Sequence, residues 1–256
     1  MMMYGYYEKH DHTLLVTEYL RGGELFKQIT ERGFNLTEKK VNIYVLQIVQ
    51  ALNYIHDKRV VHLDIKPQNI MLQSRNQDVI KLIDFGLARE LSSSGRVQAN
   101  ICGTMGFIAP EVLNCRYASP ATDFFSLGVV IYMLLSGGHE PFWFKDDMTT
   151  SKRTLHLPPN YSCIKRVSQQ AIHFIDGLLQ KKQETRLHGK DCLSHPWLSG
   201  KELVQDTVLE TAKMRSYMAR NRWKKAFKCI RATIRMKALG EKIGPYRWSQ
   251  EIPCDV

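Results

Sequence analysis

Apolar residues change their period several times along the chain, and each change marks an element. Residues 2–7 and 14–20 alternate on either side of the polar stretch Lys9, His10, Asp11 and His12, which predicts two strands joined as a hairpin. Gly22 and Gly23 break the alternation, and residues 24–30 read as a short helix. Next, Val41, Tyr44, Val45, Ile48, Leu52 and Ile55 recur at helical spacing behind Thr37, a residue able to cap them. Two short apolar runs, 70–72 and 79–83, end at polar or acidic residues and predict a small β-ribbon. Beyond Pro120 the pattern is mainly helical. Residues 123–135 are apolar nearly all round, which predicts a helix at the centre of a domain. Residues 171–179 and 189–198 predict two more helices. After a polar joint at 201–206, a long basic amphipathic helix is expected over 207–238, ended by Gly240, Gly244 and Pro245.

A chain of 256 residues has room for one large domain and an appendage. Its 44% hydrophobic and 24% charged residues are ordinary for a globular protein. The net charge of +11 is uneven: between Thr211 and Gly240 lie ten lysines and arginines and no acid. The basic character therefore belongs largely to the tail, and the body is closer to neutral. Six cysteines, Cys102, Cys115, Cys163, Cys192, Cys229 and Cys254, form no CxxC pair and no Cys/His cluster, which argues against a zinc site or a disulfide framework and suits a reducing compartment. No stretch approaches the roughly 20 apolar residues of a membrane span. Met1, Met2, Met3 and Tyr4 have neither the basic region nor the cleavage site of a signal peptide, so an intracellular location is expected.

Three motifs fall in one order: His62-Leu63-Asp64-Ile65-Lys66-Pro67-Gln68-Asn69, then Asp84-Phe85-Gly86, then Ala109-Pro110-Glu111. A lone His-x-Asp is weak evidence, more often a solvated turn than a site, and a lone Asp-Phe-Gly is common by chance. The ordered set, with Gly103-Thr104 before the third motif and Asp123 leading the apolar helix after it, is specific. It resembles the protein kinase family, whose catalytic loop, metal-binding segment and anchor follow one another in this way.

The resemblance implies an α+β, protein-kinase-like fold. Residues 1–20 would be partial small-lobe strands and hinge, and 21–199 the mostly helical large lobe. Residues 200–240 would be a linker and an amphipathic regulatory helix, and 241–256 a tail. It also implies ATP and Mg²⁺ as cofactors and transfer of the γ-phosphate to a protein hydroxyl. Asp64 would accept or orient the substrate proton, Lys66 would reach the γ-phosphate, and Thr104 would hydrogen-bond to this pair. Asn69 and Asp84 would be the Mg²⁺ ligands, suited as oxygen donors to a hard cation. Lys66 two residues after Asp64 is the serine/threonine form of the loop. Thr17 matches the gatekeeper, Glu18 and Leu20 the adenine-binding backbone, Glu24 the ribose contact, and Met71 the residue under the adenine. Glu111 and Arg186 match a buried ion pair, and Asp123 a structural position.

The segment 81–89, Leu63, and His195-Pro196-Trp197-Leu198 are similar to the calcium/calmodulin-dependent kinase group, nearest its myosin light chain kinase, titin-like and death-associated branch. Residues 214–225 resemble the calmodulin-binding helix of myosin light chain kinases. Trp223, Phe227, Ile230 and Met236 stand at positions 1, 5, 8 and 14 of an amphipathic basic segment, the kind of helix whose apolar anchors calmodulin grips in Met-rich grooves. On spacing alone, a membrane-surface helix or a nucleic-acid arm remains an alternative. The resemblance favours Ca²⁺/calmodulin as partner, with no nucleic acid and no membrane. It gives a protein substrate, with myosin light chain the candidate, and a cytoplasmic location, with the cytoskeleton the candidate anchor.

Four departures stand out. The sequence contains no Gly-rich loop, strand-three lysine or following glutamate helix, so the resemblance implies an N-terminally incomplete domain that is inactive or weak alone. Leu63 replaces the usual arginine, which removes a basic pocket for a phosphorylated loop. Met105-Gly106 stands where Pro-Glu is common, and Gln68 replaces a frequent glutamate. A second expectation is therefore a catalytically inactive half-kinase or pseudokinase scaffold that binds calmodulin. The retained Asp64, Lys66, Asn69 and Asp84 disfavour a long-standing pseudokinase.

Overall fold

The computed structural model describes residues 2–9, 12–31, 33–75, 77–200 and 206–243. The expectations at Cys254, Gly244, Pro245 and the 201–205 joint lie outside the described residues. The chain divides into two compact units, residues 1–215 and 216–256, which are treated separately.

The first unit begins with β1 (Met3–Lys9) and β2 (His12–Thr17), an antiparallel two-stranded sheet that pairs Met3 with Thr17 and Lys9 with His12. Tyr4, Tyr6, Tyr7, Leu14, Leu15 and Val16 are all exposed on it. After β3 (Gly23–Glu24) come α1 (Leu25–Ile29) and α2 (Glu38–Asp57). Thr37 caps α2, its side chain accepting from the Lys40 amide at 3.3 Å, and Val41, Tyr44, Val45, Ile48 and Leu52 are buried along one face, as a 3.6-residue period requires. Then follow β4 (Val60–Val61), β5 (Ile70–Leu72), β6 (Ile80–Leu82), β7 (Arg89–Glu90) and β8 (Val97–Gln98). β3, β5 and β6 form one antiparallel sheet, while β4 pairs with β7.

The helical part contains α3 (Pro110–Leu113), the strand β9 (Tyr117–Ala118) paired to β8, α4 (Pro120–Leu135), α5 (Asp147–His156), α6 (Gln169–Leu178) and α7 (Lys190–Ser194). In α4 every residue from Ala121 to Leu135 is buried, the outcome expected of a helix without a polar face. A buried carboxylate ties α2 to the far end of the unit. Glu38 accepts from the Ser168 amide at 2.8 Å, the Ser168 hydroxyl at 2.5 Å and Trp197 Nε1 at 2.9 Å. Three donors on one side chain are what allows a charge to lie there.

Three expectations are corrected. The helix expected over 189–198 is only Lys190–Ser194, because His195 before Pro196 is extended (φ −61°, ψ 137°). The long helix starts at Ala212 rather than 207 and runs to Ile243 as α8. Residues 207–209 are held as extended chain instead: Val208 forms a β-bridge with Thr37, and the Leu209 amide donates to the Leu36 carbonyl at 2.8 Å. Gly240 does not end α8, since a single glycine costs a helix only about 1 kcal/mol.

The root of α8 needs glycine at two places. A Cβ on Gly137 would meet the Glu210 carbonyl oxygen at 2.0 Å, and one on Gly138 the Met214 amide nitrogen at 2.2 Å. Both residues also have positive φ, +72° and +108°. In the second unit α8 continues as helix, with Trp223, Phe227, Ile230, Ile234 and Met236 exposed and the Trp223 and Phe227 rings 6.2 Å apart.

Candidate active site

The loop between β4 and β5 is shaped by one acid. Asp123, fully buried in the first turns of α4, accepts from the His62 amide and the Leu63 amide, each at 2.8 Å, and lies 2.8 Å from His56 Nε2. Leu63 has a φ of +64°, a left-handed conformation that costs a non-glycine residue about 1–2 kcal/mol. The Asp123 bond and the burial of Leu63 in a cluster with Val61, Leu91, Ile108 and Val112 compensate for that strain. Where the kinase pattern has a charged side chain, the chain here packs an apolar one.

Asp64 follows, and three donors converge on it. Lys66 Nζ lies 2.5 Å from Asp64 Oδ2, the Thr104 hydroxyl donates to Asp64 Oδ1 at 3.1 Å, and Asn69 Nδ2 donates to the Asp64 carbonyl at 2.8 Å and to Oδ2 at 3.2 Å. Lys66 Nζ also reaches Thr104 Oγ1 at 3.1 Å. Asp64 and Asn69 are both buried. The cluster therefore unites the catalytic loop with residue 104, some 40 positions downstream.

A backbone bond places the second carboxylate. The Ile83 amide donates to the Asn69 carbonyl at 3.0 Å, which sets Asp84 beside Asn69 at the ends of adjacent chain segments. Asp84 is exposed and has a φ of +64°, and its Oδ1 accepts from the Gly86 amide at 3.3 Å. His62 connects the same two segments: its Nδ1 accepts from the Asp64 amide at 3.3 Å, its Nε2 approaches the Ile83 carbonyl at 3.2 Å, and its ring packs on Phe85 at 4.8 Å.

The residues matched to the nucleotide lie along a second strip. Glu24 is directly opposite Met71, and Met71 opposite Lys81, across β3, β5 and β6. Lys81 Nζ is 3.5 Å from Glu18 Oε1, which also accepts from the Met2 amide at 2.7 Å. That amide, with Lys81 helping, holds the Glu18 carboxyl below the usual carboxylate range. Thr17 ends β2 opposite Met3, Tyr19 is strongly exposed, and Leu20 is buried. Trp223, Phe227, Ile230 and Met236 belong to the other unit.

A third group braces the segment after Thr104. Arg186 binds Glu111 through both carboxylate oxygens, at 2.8 and 2.9 Å, and also donates to the Ala121 and Gln180 carbonyls, each at 2.9 Å. Thr122 donates to the same Glu111 at 2.8 Å. Sequence reasoning missed Thr122, His56 and Lys81 here, as well as Ile234 on α8. Only Ile234 had a signal, its helical spacing from Ile230.

The donor set suits Mg²⁺. Asn69 commits its side-chain nitrogen to Asp64, and its side-chain oxygen and the Asp84 carboxylate are both hard donors. Among the described residues no group of three or more His, Cys, Asp or Glu is arranged to hold a metal alone. Two protein oxygens are what Mg²⁺ takes when its other positions go to water and phosphate.

A model of the protein kinase domain family matches residues 1–198. The chain is 37% identical over 236 residues to the smooth-muscle myosin light chain kinase of Gallus gallus, an alignment covering 91% of this chain and 12% of that protein. Among solved structures it is similar to the autoinhibited serine kinase domain of the giant muscle protein titin (TM-score 0.76, 32% identity, 85% of this chain and 68% of that one). The twitchin kinase fragment from C. elegans gives a TM-score of 0.79 at 30% identity, over 86% of this chain and 49% of that one. By its sequence and its fold, the chain belongs to the protein kinase domain family.

Proposed function

We propose that the chain carries the catalytic lobe of a serine/threonine protein kinase of the myosin light chain kinase type. The convergence of Lys66, Thr104 and Asn69 on Asp64 supports this reading most strongly. A carboxylate held by three donors is oriented before substrate arrives, and phosphoryl transfer depends mainly on positioning and charge neutralisation. Asp64 orients the incoming hydroxyl and receives its proton. Lys66, bridging Asp64 and Thr104, places positive charge where the transferred group develops negative charge. Asn69 and Asp84 would hold Mg²⁺. When bound, Mg²⁺-ATP supplies the phosphoryl group and the neutralising cation. Thr17, Glu18, Leu20, Glu24 and Met71 would line the nucleoside end, and Glu111, Asp123 and Arg186 keep the loop and its anchor in place.

The helix of the second unit is a Ca²⁺/calmodulin target in this reading, and a protein hydroxyl, with that of a myosin light chain the candidate, is the substrate. The exposed apolar anchors on a basic helix that carries no acid before Glu241 favour that partner. The similarity to muscle kinases favours a cytoplasmic, cytoskeleton-associated place, and no helix among the described residues is long and apolar enough to cross a membrane. A second reading, a calmodulin-binding scaffold without phosphoryl transfer, draws on the lack of a Gly-rich phosphate loop in the 256 residues. The deciding experiment joins a relative's small lobe ahead of Met1. That chimera is expected to phosphorylate a light-chain peptide, the unfused chain to do so at background level, and Asp84→Asn in the chimera to abolish the activity. A chimera that binds nucleotide yet transfers no phosphate would support the scaffold.

A further inference from the structure

Between the end of α4, the loop before α6 and the extended residues 208–210 lies a cavity of about 520 Å³. Leu135, Val208 and Leu209 give it an apolar wall, and Lys165, Arg166 and His139 bring donors to the same lining. Lys165 and Arg166 are exposed and His139 is half-buried, so all three are open to a ligand. Among the described residues none of these three side chains makes a hydrogen bond or an ion pair. One acid, Glu210, lines the cavity as well, and it forms no ion pair with them. Two permanent cations and an imidazole therefore face a single carboxylate. Their placement follows from the backbone. Successive residues of an extended chain point to opposite sides, yet Lys165 and Arg166 line one space, because Arg166 turns the chain with a left-handed φ of +60°. Side chains with a Cβ disfavour that conformation. Here the Thr207 hydroxyl holds it, donating to the Arg166 carbonyl at 3.1 Å from the residue just before the cavity wall. Strain of this kind persists where the surrounding structure imposes it, and ligand clamps are one such place.

We propose that this cavity binds a small organic phosphate, a phosphate monoester on an apolar body. Such a group carries a charge of about −1.5 to −2 and three strong acceptor oxygens, which match two cations and a third donor. The Arg166 guanidinium suits phosphate geometry, Lys165 adds a point charge, and the His139 ring carries an N–H in either tautomer. A carboxylate would offer half the charge and one oxygen fewer. The apolar body rests on Leu135, Val208 and Leu209, while Glu210 opposes the phosphate and limits its affinity. None of these residues belongs to the nucleotide strip or to the Asp64 cluster, and the proposal requires no phosphoryl transfer. Occupancy bears on the chain that leads into α8. The Leu209 amide donates to the Leu36 carbonyl at 2.8 Å and Val208 bridges to Thr37, so a ligand seated on Val208 and Leu209 holds that stretch against the start of α2.

Phenyl phosphate serves as the probe, titrated by calorimetry into the full 256-residue chain at about 0.15 M salt. Phenol is the uncharged control, and inorganic phosphate the control without an apolar body. Saturable one-to-one binding is expected, weakened about tenfold by Lys165→Gln and by Arg166→Gln, as loss of a charge-assisted contact implies. Glu210→Gln is expected to tighten it severalfold, a gain that a merely structural role would not give. All three positions are exposed, so these variants leave the core untouched. Inorganic phosphate should bind more weakly than phenyl phosphate, and phenol not at all. Bound phenyl phosphate is also expected to slow hydrogen exchange at the Leu209 amide. The proposal is overturned if phenyl phosphate does not saturate, if phenol or inorganic phosphate binds equally well, if Glu210→Gln does not tighten binding, or if exchange at Leu209 does not move. Binding unchanged in Lys165→Gln and Arg166→Gln would also overturn it, and would assign the phosphate to the basic face of α8. None of these readouts depends on kinase activity, so failure here and failure of the kinase reading are told apart.

Discussion

The loop around Asp64 and the helix α8 carry their chemistry in opposite ways. Around the loop the buried acids are committed: Asp64 to three donors, Asp123 to two amides and His56, Glu111 to Arg186 and Thr122. Along α8 the apolar side chains are open, with Trp223 67% and Met236 73% exposed. A preorganised polar cluster suits chemistry, because the cost of ordering it is met during folding. Exposed apolar anchors suit recognition, because their stabilisation is released only when a partner covers them. Changes in the first region should therefore appear in stability or turnover, and changes in the second in affinity.

The sharpest way to break that contrast is to remove one partner of a buried pair. Arg186→Met leaves Glu111 charged and unpaired, and should destabilise the first unit by about 3–5 kcal/mol in urea unfolding. A loss under about 1 kcal/mol would mean that solvent reaches Glu111 and that the bracing is superficial. On α8 the corresponding test is affinity. A peptide spanning residues 219–238 should bind calmodulin only with Ca²⁺, and its single tryptophan, Trp223, should shift its emission to the blue. Trp223→Ala should weaken binding by about 2 kcal/mol or more. Binding indifferent to Ca²⁺ would favour a membrane or nucleic-acid role instead.

The smallest effect expected is a pH dependence. Burial, and then the neighbouring His173, hold His195 below the ordinary histidine value of 6.5. The unfolded chain then takes up a proton below about pH 6.5 that the folded chain refuses. Stability is full above that pH and declines as pH falls toward the folded value, by at most about 1.4 kcal/mol per pH unit for one proton. His195→Asn should flatten the slope between pH 7 and 5. An unchanged slope would assign it to other groups.

What could be read from the sequence was mostly what is local. Asp64, Lys66 and Asn69 lie within six residues of chain, and α4 declares itself by a stretch that is apolar nearly all round. The helix α5 was missed because its buried positions, Thr150 and Thr154, are polar β-branched residues without an apolar stripe. Contacts that join distant segments left no trace in spacing: His56 meets Asp123 from 67 positions away, and Lys81 on β6 reaches Glu18, just beyond the end of β2. The start of α8 was misplaced for a similar reason, since pairing of Val208 and Leu209 with residues 36–37 outweighs local helical preference.

The central claim is that Asp64 is positioned for catalysis by its cluster and takes no part in holding nucleotide. It is tested most directly in the chimera bearing a relative's small lobe, by measuring phosphorylation of a light-chain peptide and ATP affinity together in wild type and Asp64→Asn. The account predicts that turnover falls by more than about tenfold, at least 1.4 kcal/mol in the barrier, while ATP affinity is nearly unchanged. Turnover retained above about a tenth of wild type, or a fall explained wholly by weaker ATP binding, would contradict it.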